Sequence, residues 1–348
     1  MYSEADLQNA VEAGALSPDA ATAFRNHISQ SRSAPVADEE HFRLITGFND
    51  IFVTIAAILL LVAMGNIGGL ISHAVSGLLV AVSAWGLAEY FTRKRRMALP
   101  SIILMVAFAG GVAATVAALL NFDSVDNETT GAIYAAIVAA SAALASYLHW
   151  RRFMVPITIA ALTATAAAAA IALIASALPS PEDSIKWLVF AAGILIFLIA
   201  MHWDISDRER KTRRSDVAFW LHLLAAPAIA HPIFSGLGVL DGDAGMMKAL
   251  AVIALYIAFG LIALAIDRRA ILVSGLAYVL YALWEVFRIS SNIELGVALA
   301  TLVIGSALLL LSVFWTPIRS RIVNGLPENL QSKLPATHGL PVNPQPAS

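Results

Sequence analysis

His222 and His231 stand nine residues apart in one apolar stretch, SDVAFWLHLLAAPAIAHPIFSGLGVL (215–240), which also holds Pro227 and Pro232. An imidazole takes up and releases protons near neutral pH, ligates metals and hydrogen-bonds polar solutes. In an unbroken helix, nine residues at 100° each put the two rings on opposite faces, roughly 13 Å apart along the axis. They cannot share one metal ion unless the helix opens. The prolines remove two backbone hydrogen bonds and favour a kink. Two readings follow. The helix opens and lines a cavity, as at the substrate sites of transporters, or it is a kinked packing helix whose histidines each bond to a neighbouring helix.

Depth supplies partners. His231 lies about 16 residues into its segment and Glu285 about 15 residues into a later one, both running in the same direction at 1.5 Å per residue. Arg288 is one turn beyond Glu285. Intramembrane charges usually face the bundle interior and pair there. His222, His231, Glu285 and Arg288 are therefore the candidate substrate-binding residues. The other reading of Glu285 and Arg288 is an interfacial pair that anchors its helix, beside Trp284 in an aromatic belt. Glu89, His149, His202, Asp204 and Asp216 lie close to basic loops and read as interfacial ion pairs. Asp241-Gly242-Asp243-Ala244-Gly245 starts like a calcium loop but lacks its later acidic ligands, so it reads as a turn. The chain has no cysteine, P-loop, dinucleotide fingerprint or HExxH motif. No metal, cofactor or catalytic residue is expected, and the chain is read as not an enzyme.

These residues must be positioned by helices in lipid. Of 348 residues, 59 % are hydrophobic and 13 % charged, about half the charge of a soluble domain. Such a chain cannot cover a water-facing surface. Its net charge of -2 argues against a nucleic-acid partner. Apolar runs near the roughly 20 residues of a spanning helix fall at 48–71, 73–92, 98–120, 130–149, 153–177, 185–203, 216–238, 246–266, 270–287 and 293–315. The expected fold is an all-α polytopic transmembrane bundle of about ten spans. Gly110-Gly111 and the alanine run of 164–177 would let backbones approach closely.

Arginine and lysine mark every second connection: Arg93-Lys94-Arg95-Arg96, Arg151-Arg152, the 208–214 stretch, Arg268-Arg269, and Arg319 with Arg321. The intervening loops FDSVDNETT, PSPEDS and LDGDAG are acidic and nearly free of basic residues, with Lys248 and Arg288 as exceptions. By the positive-inside rule both termini are cytoplasmic. The clusters recur every 52–62 residues, and ALPSII, MVPITI and ILVSGL follow three of them. Either hairpins repeat in tandem, or helices of similar length space the clusters evenly.

Outside the bundle (48–315), residues 1–30 read as a cytoplasmic helical hairpin. Gly14 ends its first helix in a left-handed turn, and Ser17-Pro18-Asp19 starts the second. The acidic, polar start makes the first apolar segment the expected insertion signal. Residues 31–47 read as a linker and 316–348, with six prolines, as a disordered cytoplasmic tail. The segment LQNAVEAGALSPDAATAFRNHI ahead of a many-spanning bundle resembles the bacterial domain-of-unknown-function family 2157 of membrane proteins. That resemblance implies a multi-pass protein of the bacterial cytoplasmic (inner) membrane. Two functions are consistent with these features. One is a transporter that binds or moves a small solute or lipid around the seventh apolar segment. The other is a structural or sensory membrane protein whose hairpin binds a cytoplasmic protein partner.

Overall fold

The computed structural model describes residues 10–31, 48–178, 181–208, 210, 212–238, 246–287 and 293–335. It divides into a leading unit, Met1–Arg43, and a bundle, Leu44–Ser348. In the leading unit, residues 10–12 are helical and Gly14 turns the chain at φ +71°. Glycine suits this turn because a Cβ disfavours the left-handed region. The backbone N–H groups of Ala15 and Leu16 donate back to the Ala10 carbonyl. Ser17 Oγ then accepts from Ala20 N at 3.1 Å and caps α1, Pro18–Ser31.

The bundle comprises α2 (Phe48–Gly69), α3 (His73–Ala88), α4 (Ala98–Leu119), α5 (Glu128–Phe153), α6 (Ile157–Ser176) and α7 (Pro181–Ser206). It continues with α8 (Arg213–Gly236), α9 (Met246–Ile266), α10 (Ala270–Phe287), α11 (Ile293–Val313) and α12 (Trp315–Asn324). The chain is an all-α, polytopic membrane protein. Among the described residues nine helices are long and apolar enough to cross a bilayer, and α10 contributes a shorter apolar stretch, Ile271–Trp284. The turn between α2 and α3 is short because Ser72 caps α3, its Oγ accepting from Val75 N at 3.2 Å. Asn127 caps α5 in the same way, accepting from Thr130 N at 3.0 Å. Asn127→Ala should cost about 1 kcal/mol, read as an earlier unfolding midpoint of the purified protein.

The most extensive packing joins α3 to α4, α5 to α6 and α7 to α8, and α9 also packs on α10. In all four pairs the connection is basic. Each turns through a left-handed residue: Arg96, Met154, Arg210 and Asp267, which lie 58, 56 and 57 residues apart. Asn121 and Gly238 in other connections are left-handed too, as helix C-termini commonly are, so the spacing fits tandem hairpins and evenly long helices alike.

Within this array α8 is central, packing on α6, α7 and α10. Half of its apolar window is buried, against 11–39 % in the other spanning helices. Pro227 and Pro232 lie inside it, yet it is one continuous helix. The opened helix allowed by the sequence is not formed, because packing on three neighbours holds the segment together.

The expected disordered tail from 316 is corrected over 315–335. Helix α12 and a short turn, Glu328–Gln331, pack onto the bundle and bury Trp315, Val323 and Leu334. Proline content misled here because Pro317 sits in the first turn of α12 and Pro327 just before the next turn, where no helical N–H is lost. The other expected tail residues, 336–348, lie outside the described residues.

Candidate functional site

Asp204, near the C-terminal end of α7, is 1 % exposed and faces α8 and the turn before α10. His222 Nε2, on α8, donates to its Oδ2 at 2.8 Å. Arg268, in that turn, donates from Nη2 to Oδ1 at 2.5 Å and from Nε to Oδ2 at 3.4 Å. The same Nη2 also reaches the Ser215 carbonyl at 3.2 Å. His222 is wholly inaccessible and Arg268 is 2 % exposed. Both carboxylate oxygens are engaged, as a buried charge requires. Because an ionised carboxylate only accepts, Nε2 of His222 carries the proton. Its Nδ1 is buried and has no hydrogen-bond partner. The ring stands edge-on to Phe197, centroids 5.3 Å apart.

Local backbone features set up this geometry. Helix α7 stops at Ser206 and Arg210 reverses the chain at φ +53°. Asp207 Oδ2 then accepts from Thr212 N at 2.9 Å and Thr212 Oγ1 at 2.7 Å, so the first turn of α8 starts at a fixed point. On the other side Asp267, at φ +58°, presents Arg268 to Asp204. Its own carboxylate accepts from Arg210 Nη1 at 2.8 Å and from Trp315 Nε1 at 2.6 Å. Arg319 of α12 donates to the Pro335 carbonyl at 2.7 Å, and Arg208 to that of Leu334 at 2.9 Å. One polar layer thus joins α7, α8, the α9–α10 turn and the C-terminal helix.

No protein-family model, curated protein or solved structure matches this chain. The site therefore has to be read from its own chemistry.

The structure separates the sequence candidates. His222 lies in the buried triad. His231, on the exposed side of α8, hydrogen-bonds through Nδ1 to the Tyr278 hydroxyl of α10. The two rings thus serve different contacts, as their spacing requires. Glu285 is seven residues beyond Tyr278 in α10, but its side chain lies outside the described residues, as does all of Arg288 and the 241–245 turn. Among the described residues, no group of three or more acidic, histidine or cysteine side chains could hold a metal ion.

The ion pair expected between Asp204 and a basic loop is formed, with Arg268; what the sequence reading missed is its burial and its third member, His222. The signal was an aspartate inside MHWDIS, still apolar, on the segment preceding the one with two histidines. Glu89 does form an interfacial pair, with Arg152 at 2.6 Å and Arg93 at 3.3 Å. His149 does not: it is fully buried among Trp85, Phe108 and Phe153, with Nδ1 3.3 Å from Thr158 Oγ1.

Proposed function

We propose that this multi-pass membrane protein binds a small solute within the bundle and moves it along α8, with His222 exchanging a proton as it does so. The observation that supports this reading is the Asp204–His222–Arg268 triad on the most buried helix. Ionisable groups are expensive in lipid and mark solute and proton pathways. The Asp204–Arg268 pair is neutral overall. Protonation of the bare Nδ1 of His222 would put a second positive charge beside Asp204 and weaken its hold on Arg268. That competition would bias the α9–α10 turn between two positions, which is the element a transport cycle needs. The path would run from His222 towards His231 and the region of Glu285 and Arg288. The arginine bias supports cytoplasmic basic turns and termini, and this reading takes the membrane to be the inner membrane of a bacterium.

A deletion strain screened over a panel of nutrient and toxic solutes, at two external pH values, tests this. His222→Gln keeps an N–H donor for Asp204 but cannot carry the proton. Solute flux should fall by at least about tenfold, with normal protein levels in the membrane. Full rescue of the deletion by His222→Gln would overturn the proposal.

A second reading is supported by the leading residues Met1–Arg43 forming a compact unit of their own. A separate helical hairpin suits a cytoplasmic protein partner in a structural or sensory role. On this reading, removing residues 1–43 abolishes function while His222→Gln does not.

A further inference from the structure

At the end of the bundle opposite the Arg96 and Met154 turns, α3, α4 and the turn after α4 line an open groove of about 700 Å³. That volume is in the range of ligand pockets, roughly 300–1,000 Å³. Its floor includes Ala107, Gly110 and Ala114, a row along one face of α4 that leaves a straight apolar furrow. Its rim is polar, with His73 at the start of α3 and Asn121 and Asp123 in the turn after α4. No lysine or arginine lines it. None occurs anywhere between Arg96 and Arg151, whereas Asp123 and Asp126 fall in the loop beside the groove and Glu128 opens α5.

We infer that this groove holds a phospholipid with a primary-amine headgroup, of the phosphatidylethanolamine class. The acyl chain lies in the furrow. The headgroup ammonium donates to the Asp123 carboxylate, a charge-assisted hydrogen bond that a trimethylammonium cannot make. His73 and Asn121 offer N–H donors to the phosphate. An anionic headgroup offers the same phosphate but has no ammonium for Asp123, so its net negative charge faces the acidic loop uncompensated. This site is separate from the path along α8 and does not depend on it.

Gly110 provides the test. A Cβ there would meet nothing within 4 Å, whereas at Gly77 of α3 and Gly111 of α4, which also line the groove, it would strike backbone at 2.7 Å. Gly110→Leu therefore fills the furrow without forcing the helices apart, and Ala114→Leu, also exposed, is an independent second filling variant. The full chain, purified in detergent, is given equal amounts of phosphatidylethanolamine, phosphatidylcholine and phosphatidylglycerol, and native mass spectrometry counts the retained lipid. Wild type should retain the ethanolamine lipid about fivefold over the other two, and Asp123→Asn should erase that preference. Each filling variant should retain about tenfold less of it. Equal retention of the three lipids by wild type, an unchanged preference in Asp123→Asn, or wild-type retention by the filling variants would overturn the assignment.

Discussion

Arg268→Met should destabilise the folded bundle by about 3–5 kcal/mol, the cost of leaving a buried charge without its partner. Asp204 is 1 % exposed and would keep only His222 as a donor. The Ser215 carbonyl would also lose the Arg268 N–H. Methionine roughly conserves the apolar stem, so the loss reports the charge rather than a cavity. Asp204→Leu alone should be similarly costly, because it strands the guanidinium. The double variant, Asp204→Leu with Arg268→Met, should recover most of the loss, since replacing both members of a buried pair by apolar groups is often neutral. Unfolding of the purified protein in mixed micelles by increasing sodium dodecyl sulfate, for wild type, both singles and the double, gives the coupling energy directly. Additive losses would show that the two side chains do not act as a pair.

Gly111→Leu should cost about 3 kcal/mol, while Gly110→Ala, one residue away, should be stabilising by about 0.5–1 kcal/mol. A Cβ on Gly111 would lie 2.7 Å from the Gly77 carbonyl oxygen and 2.8 Å from Ala81 N. These are backbone atoms of α3, which cannot turn aside as a side chain would. The contact is reciprocal, since a Cβ on Gly77 would lie 2.7 Å from the Gly111 carbonyl oxygen. The two helices must then separate along their crossing and lose dispersion contacts on both sides. Gly110 points to open space, so a methyl group there only lowers the backbone entropy lost on folding. The same micelle titration reads both, and equal effects at the two positions would contradict this crossing.

Much of this architecture was readable from residue types. The leading turn is an example, because Gly14 and Ser17-Pro18 act through local sterics and a local hydrogen bond, with no distant partner. The Gly110-Gly111 pair announced a close crossing but not which glycine makes it. That depends on the rotation of α4 against α3, which a two-residue motif does not encode. Pro227 and Pro232 left an opened helix and a packing helix both open; the second is formed, with His222 bonded to α7 and His231 to α10, because three helices pack around the segment. The folded segment 315–335 was hidden for a related reason: its apolar residues have a surface to bury against only once the α7–α8 and α9–α10 turns are in place.

Residue types alone dictate a polytopic helical bundle in lipid. They do so because hydrophobicity summed over about 20 residues outweighs any single contact, and backbone polar groups in a bilayer must be satisfied within the helix. Which charges meet depends instead on how the helices pack. Asp204 is 18 residues from His222 and 64 from Arg268. What joins them is the rotation and offset of α7, α8 and the α9–α10 turn. Those quantities are set by side-chain packing across the bundle, which no stretch of the chain contains alone.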